Sequence, residues 1–111
     1  MAIYSNLTVD QGSTFNASID VSDADDNVLA LTGYTVAGQL RKSYASLTFT
    51  DFTTSVTSEA LGTINIGLTD TQTNSLKAGR YVYDVEITSP GGEKTRVLEG
   101  QLEITPGVTR A

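Results

Sequence analysis

Apolar and polar residues alternate with a period of two along most of this chain, and no other feature constrains the fold as strongly. Such alternation is typical of β-strands that bury one face, and helical periodicity is almost absent. The most regular runs are residues 15–21, 64–68, 81–88 and 98–104, and less regular strands are expected at 7–9, 34–42 and 47–56. The pattern therefore predicts an all-β fold of about seven strands.

Turn-forming residues separate the expected strands. Residues 89–92, Ser-Pro-Gly-Gly, lie between two alternating runs and predict a β-hairpin. Gly33 lies where a turn leads into a strand, at a position expected to need a positive φ angle. Gly100 is expected at a β-bulge, where side-chain bulk would interfere. Closely spaced strands without βαβ alternation favour a two-sheet sandwich or a small barrel.

One segment, residues 70–78, has the character of a helix. It is short and polar, with Asp70 expected as its N-cap and Gly79 as the C′ residue that stops it. We therefore expect one short helical turn that joins the two sheets.

Tyr81 opens a core strand directly after this helical turn and Gly79. The same order occurs in the tyrosine corner of immunoglobulin-like sandwiches, in which the phenol hydroxyl bonds the backbone a few residues upstream. The alternative is that Tyr81 is simply an aromatic residue at the start of a strand. The absence of Cys and Trp excludes a true antibody-type domain.

The length of 111 residues fits one domain, 1–111. A fold of this size removes roughly two-thirds of its extended-chain surface from water, which is enough for a core without disulfide bonds. Residues 105–111 are expected to form an extended C-terminal tail, because Pro106 has no N–H to donate to a sheet. The first residues show neither the basic nor the apolar region of a signal peptide, so synthesis in a cytoplasm is expected.

Composition argues against several functions. Histidine and cysteine are absent, which excludes Ser-His-Asp and Cys-His catalysis and the metal sites that use these residues. The net charge is −6 and the seven Lys and Arg are scattered, which disfavours nucleic acid and anionic membranes as partners. We expect no catalytic residues, no cofactor and no enzymatic activity. A carboxylate pair for glycoside hydrolysis is the alternative that 13 acidic residues leave open.

The best candidate for a metal site is the acidic segment Asp23, Asp25, Asp26 and Asn27. Its Asp-x-Asp-x-Asn order resembles the first half of a calcium-binding loop. An EF-hand would continue with Gly and Glu, where this chain has Val28 and Tyr34, so that interpretation fails. A looser calcium loop and a plain Asp-rich turn stay as alternatives.

Four segments together resemble a known group of proteins: residues 10–15, 31–42, 79–87 and 97–110. They are similar to small immunoglobulin-like virion structural proteins of tailed bacteriophages, frequent in marine and cyanobacterial phages, and to the N-terminal domain of baseplate upper proteins. The matching positions are structural rather than catalytic, among them Gly33, Gly79, Tyr81 and Gly100.

The resemblance implies a non-enzymatic virion protein, made in the bacterial host cytoplasm, that packs against other virion proteins or itself as a capsid decoration, neck, tail or baseplate component. The alternative function is a carbohydrate- or receptor-binding module of the adhesin type. Aromatic and acidic residues on loops would suit that role, whereas the absence of Trp argues against it.

Three local expectations remain open on the sequence alone. Tyr44, Phe49 and Phe52 either form an exposed contact patch, or lie in the core or cover a sheet edge. Arg80 and Glu99 either pair across neighbouring strands or are separately solvated. The strands at 7–9 and 98–104 are expected as sheet edges that dock a partner, the alternative being that the two chain ends pair with each other.

Overall fold

The computed structural model describes residues 3–21, 27 and 29–107. Within this part of the chain, nine strands and one helix are present: β1 (Ile3–Tyr4), β2 (Leu7–Asp10), β3 (Phe15–Asp20), β4 (Thr35–Arg41), β5 (Thr50–Asp51), β6 (Thr53–Ser58), β7 (Thr63–Leu68), α1 (Asp70–Ser75), β8 (Gly79–Thr88) and β9 (Lys94–Thr105). The expected all-β, two-sheet sandwich is confirmed. The described strands exceed the expected seven because a short β1 precedes β2 and because segment 47–56 divides into β5 and β6.

The two sheets differ in size. The larger sheet has the order β1-β9-β8-β4-β5, with β2 also paired to β9, and the smaller sheet has the order β3-β7-β6. β1 and β2 run parallel to β9, whereas the other paired strands are antiparallel. Phe52 lies between β5 and β6, and the chain crosses there from the larger sheet to the smaller.

The core lies between the sheets and is filled by the alternating apolar residues. Ile64, Ile66 and Leu68 of β7 are almost completely buried. Val85 and Ile87 of β8 belong to the same apolar cluster. Burial of apolar surface, at roughly 25 cal/mol per Å², is the main favourable contribution to folding. The alternating apolar residues stabilise the sandwich because they lie on the strand faces that are buried between the sheets.

The position of β9 corrects the expectation about sheet edges. β9 pairs with β8 on one side and with both β1 and β2 on the other. Leu7 of β2 is opposite Leu102, and Val9 is opposite Ile104. The prediction that 98–104 is an edge strand is therefore wrong, because the two ends of the chain pair with each other and cover it.

The helix begins and ends at different residues from those expected. Its N-cap is Thr69 rather than Asp70, because Thr69 Oγ1 accepts from Gln72 N at 3.1 Å while Gln72 Oε1 accepts from Thr69 N at 2.9 Å. This reciprocal capping box satisfies two N–H groups at the helix start. The helix stops at Ser75, so Gly79 is the first residue of β8 and not the helix terminator.

Gly100 is paired with Tyr83 in the regular ladder, and the β-bulge of β9 lies at Val97, between the pairs Val85–Leu98 and Glu86–Arg96. The expected bulge at Gly100 is therefore misplaced. The steric reason for glycine is nevertheless present: a Cβ atom at position 100 would collide with the backbone of Ser5. Glycine is required there because the N-terminal segment crosses close to β9.

Two expected turns are present. Tyr34 N donates to Leu31 O at 3.0 Å, and Gly33 in this turn has a φ of 79°, which favours glycine. In the β8–β9 hairpin, Gly92 N donates to Ser89 O at 2.9 Å.

Only the first three residues of the expected C-terminal tail, 105–107, lie within the described part of the chain. Thr105 still belongs to β9 and is opposite Asp10, and Gly107 N donates to Gln11 Oε1 at 3.3 Å. Residues 108–111 lie outside the described part, so an extended tail over 105–111 stays a prediction beyond Gly107.

Replacing Gly100 with Ala should lower the free energy of unfolding by about 2 kcal/mol, because the added methyl group overlaps the Ser5 backbone. Chemical denaturation measures this change. Gly91→Ala is the control, since a Cβ there meets only Ser89 Oγ at 3.9 Å. Equal stability of the two variants would show that β1 and β2 do not approach β9 as described.

Tyr83 should make stability depend on alkaline pH. Burial raises the pKa of Tyr83 to about 12, although its hydroxyl donates to Ser5 O at 2.6 Å. Between pH 10 and 12 the unfolded chain loses this proton while the folded chain keeps it, so the free energy of unfolding falls as pH rises. Denaturation midpoints across this interval should fall less for Tyr83→Phe than for the wild type. An identical fall in both proteins would contradict this assignment.

Candidate protein-interaction site

Residues 42–49, between β4 and β5, form a loop that carries large apolar side chains into solvent; we call it the 42–49 loop. The exposed fractions are 81% for Tyr44, 92% for Leu47 and 49% for Phe49. Phe52, by contrast, is buried and packs edge-on against Tyr83 with ring centroids 6.0 Å apart. The aromatic cluster of the sequence is therefore divided between an exposed patch and the core.

Leu47 was missed by the sequence interpretation, which assigned it to the start of a strand. Its neighbours, Ser46 and Thr48, are polar, so alternation alone matched a strand. The signal that separates the two structures is the preceding Ser43–Ser46 turn, since Ser is frequent in turns and caps. The turn delays β5 until Thr50.

The conformation of the 42–49 loop is held by polar contacts at its base. Ser46 N donates to Ser43 O at 3.1 Å, and Ser43 N donates to Ser46 Oγ at 3.1 Å. Arg41 Nη1 donates to Ser46 O at 2.5 Å. These contacts hold Tyr44 and Leu47 outward on a closed turn.

Arg41 connects the loop to the sheet. Its Cζ atom lies 4.9 Å from the centroid of the Phe49 ring, within the range of a cation–π interaction. Its Nη2 donates to Gln39 Oε1 at 3.1 Å. Arg41 thus orients Phe49 and separates two concave surfaces, one on each side of it.

The first concave surface lies against the turn that leads into β8, where the tyrosine-corner pattern places Tyr81. The Tyr81 hydroxyl donates to Lys77 O, four residues upstream, at 2.8 Å. This is the contact that the pattern predicts. Burial raises the pKa of Tyr81, partly offset by that hydrogen bond.

Lys42 lies directly above this corner. Its Nζ atom is 4.9 Å from the centroid of the Tyr81 ring. A Cβ atom at position 79 would be 2.9 Å from that Nζ atom, so any larger residue than Gly79 would displace the ammonium group. Gly79 and Tyr81, which the sequence indicates as structural residues, therefore also determine where the Lys42 ammonium group lies.

We call this concave surface the basic groove. Residues that line it include Leu40, Arg41, Lys42, Phe49, Lys77 and Tyr81. None of its lining residues is acidic, and within the described part of the chain no carboxylate forms an ion pair with its three cations. A chain of net charge −6 therefore has a locally cationic groove beside an apolar loop.

The second concave surface lies on the outer face of the larger sheet, and we call it the Tyr44 pocket. Gln39, Asp84 and Glu99 are neighbours on adjacent strands beneath Tyr44. Arg96 lies 3.4 Å from Asp84 and 3.9 Å from Glu99. The pocket thus combines an exposed aromatic ring with charged hydrogen-bonding groups.

Of the two alternatives for Arg80 and Glu99, pairing with each other across the strands is not found. Arg80 lies opposite Glu103 in the β8–β9 ladder, whereas Glu99 lies opposite Asp84 and pairs with Arg96. The sequence suggested adjacency of the two strands correctly but not their register.

A third concave surface is polar, and the hydrogen bonds beside it serve to join the helix to a turn. It lies between the β2–β3 turn and α1 and includes Asp10 and Asp70. Beside it, buried Thr73 donates from Oγ1 to Ser13 O at 2.9 Å and accepts from Gly12 N at 3.0 Å. These bonds attach the helix to the turn, and no buried side-chain nitrogen or oxygen among the described residues lacks a hydrogen-bond partner.

The acidic segment considered for calcium cannot be placed: Asp23, Asp25 and Asp26 lie outside the described residues, and only Asn27 lies within them. Among the residues that the structure does describe, no group of three or more acidic, His or Cys side chains is arranged to hold a metal ion. The helix in this part of the chain is too short and polar to cross a membrane.

Replacing Tyr81 with Phe should lower the free energy of unfolding by about 1 kcal/mol, because it removes the hydroxyl that bonds Lys77 O. Urea denaturation of both proteins measures the difference. Tyr44→Phe is the matched control, since it deletes the same hydroxyl from a ring that is largely in solvent. An unchanged midpoint for Tyr81→Phe would contradict a stabilising corner.

Comparison with known proteins does not identify the family of this chain. No protein-family model and no curated protein sequence matches the chain. Similar solved structures include an internalin-like protein of Listeria monocytogenes (TM-score 0.46, 15% identity) and a family 123 glycoside hydrolase of Clostridium perfringens (TM-score 0.44, 13% identity). Each match covers 96% of this chain but only 28% and 23% of the respective proteins. Similarity this low carries no argument about what this chain does.

Proposed function

We propose that this chain is a non-enzymatic structural protein of a tailed-bacteriophage virion, which packs against other virion proteins through the 42–49 loop. The observation that carries the interaction role is the exposure of Tyr44, Leu47 and Phe49 on one braced loop. The virion setting is supported by the sequence resemblance, which extends across most of the chain. A capsid decoration, neck, tail or baseplate position fits the proposal equally.

Burial of the loop would supply affinity. Complete burial of a Leu or Phe side chain contributes roughly 1.5–3 kcal/mol. In the isolated chain most of the Leu47 side chain and about half of the Phe49 side chain are exposed. This apolar area is available for burial against a partner. Aromatic anchors are enriched among residues that dominate protein interfaces. The braced turn adds to this by reducing the entropy lost when the loop docks.

A second surface suits packing or self-association. Ile3 and Tyr4 of β1 are exposed at the opposite edge of the larger sheet from β5. β1 and β2 contain no Pro, Lys or Arg, and Asp10 at the end of β2 is their one charged residue, so this edge is only weakly blunted. Strand addition along β1 and β2 would extend the sheet beyond the paired chain ends.

One observation favours a second function, carbohydrate binding. In the Tyr44 pocket an exposed ring lies above Asp84, Glu99 and Arg96, and such charged groups can bond sugar hydroxyls while a ring packs against a sugar face. The charged groups already pair with one another, so a sugar would have to compete with that ion pair. We therefore place this function second.

The proposal predicts that purified particles of the encoding phage contain this protein and that incorporation depends on the loop. Leu47→Ser with Phe49→Ser should reduce the amount per particle at least about tenfold, since both contacts lose apolar area. Quantitative mass spectrometry of particles measures this. Leu61→Ser is the matched control, because Leu61 is also exposed but lies in the β6–β7 turn.

Absence of the protein from particles, with normal amounts in the infected cell, would contradict the virion assignment. Equal incorporation of the loop variant and the Leu61 variant would contradict the role of the loop. A glycan array tests the second function: saturable binding that is lost in Tyr44→Ala would favour carbohydrate recognition through the Tyr44 pocket.

A further inference from the structure

We infer that the basic groove receives a segment of a partner protein that carries carboxylates beside apolar side chains. This inference rests on the proposed function, since it names the chemistry of the partner that docks beside the 42–49 loop. The groove lies between that loop and the turn from α1 to β8. Charge complementarity is the observation that selects the occupant.

The cations of the groove have hydrogen-bond donors to offer. Arg41 uses two of its N–H groups on Ser46 O and Gln39 Oε1, and a guanidinium has five. Lys42 contacts the Tyr81 ring, and no hydrogen bond of either lysine ammonium, Lys42 or Lys77, occurs among the described residues. Carboxylate oxygens are the acceptors that such donors bond most strongly in proteins.

The cations are also held in place before a partner arrives. Arg41 lies over Phe49 and Lys42 lies over Tyr81, each 4.9 Å from a ring centroid. A cation restrained on an aromatic face loses less side-chain freedom when an acceptor binds it. Gly79 keeps the space that the Lys42 ammonium occupies. The groove is therefore partly preorganised for an anion.

An apolar component is required as well. Phe49 lines the groove with half of its surface exposed, and Leu47 and Tyr44, which belong to the same loop but not to the groove lining, are exposed as well. A purely acidic ligand would leave these side chains in water. A segment in which acidic and apolar residues alternate would neutralise the cations and cover Phe49 and Leu47 together.

The net charge of the chain disfavours a second copy and a nucleic acid as occupants of the groove. A second copy also carries −6, so the two molecules repel each other at long range. A nucleic acid would meet three cations in the groove but an acidic protein everywhere else, and it needs many phosphate contacts to bind. A short acidic segment matches the size and the local charge.

Fluorescence anisotropy with labelled octapeptides tests the inference. The probe alternates Glu with Leu and Phe, a second peptide replaces every Glu with Gln, and a third replaces every Leu and Phe with Ser. The intact protein should bind the first peptide at least about tenfold more tightly than either of the others. Its affinity should fall as salt rises, because the charges are at the surface.

Lys42→Gln and Lys77→Gln should each weaken binding of the first peptide several-fold. Lys94→Gln, which removes the same charge from the start of β9, should leave binding unchanged. Circular dichroism confirms that the variants fold. No binding of the first peptide, equal binding of the Gln peptide, or an equal loss in the Lys94 variant would each overturn the inference. Binding to phosphatidylserine vesicles without peptide binding would also overturn it and assign the groove to lipid.

Failure of the inference and failure of the proposed function can be distinguished in particles. If Leu47→Ser with Phe49→Ser abolishes incorporation while Lys42→Gln with Lys77→Gln does not, the loop interacts but the groove does not. If the loop variant incorporates normally, the proposed function fails whatever the peptides show.

Discussion

β9 forms hydrogen-bonded ladders on both of its sides, and this double pairing organises the larger sheet. On one side it continues the β8 hairpin over ten residue pairs, and on the other it receives β1 and β2 in parallel. The backbone of Ser5, between β1 and β2, passes so close to β9 that only a glycine fits at position 100. Because these parallel neighbours are far apart in the sequence, the larger sheet is complete only when β1 and β2 have paired with β9.

The residues that stabilise one end of the sandwich also build its interaction surface. The hydroxyl of Tyr81 holds the backbone at Lys77, its ring carries Lys42, and Gly79 leaves room for that ammonium. Arg41 ends β4 and at the same time braces the loop and orients Phe49. Substitutions at the buried residues of this end are therefore expected to change stability and binding together. Substitutions at exposed residues such as Leu47 and Lys77 are better tests of binding, because they change stability less.

Local patterns in the sequence predicted local structure well. Alternation located β3 and β7 to within a residue, since each buries one face against the same core. The order of helical turn, Gly79 and Tyr81 is also local, and its hydrogen bond spans only four residues. The Thr69–Gln72 capping box was equally local, but the neighbouring Asp70 competes with Thr69 as an N-cap in the sequence.

Features that depend on pairing between distant segments could not be predicted in the same way. Alternation reports which face of a strand is buried, but it contains no information about the strand beside it. The ladder between β2 and β9 therefore stayed undetermined, and so did the register that places Arg80 opposite Glu103 rather than Glu99. Likewise, the basic groove joins residues 40–50 to 75–81, and only the packed fold brings Lys42 over Tyr81.

The arrangement of charge and apolar surface at this end has a consequence for how a partner would bind. Surface cations act over about 8 Å at physiological ionic strength, so the groove would attract an acidic segment before contact. Leu47 and Tyr44 act only on contact, when water leaves their surfaces. Charge would therefore set the rate and orientation of approach, whereas the apolar loop would set how long the complex lasts. In a chain that is acidic overall, limiting the attraction to one end also limits the number of wrong orientations. The net charge of −6 repels an acidic segment from the other faces of the chain, so its approach to the three groove cations is favoured over approach elsewhere.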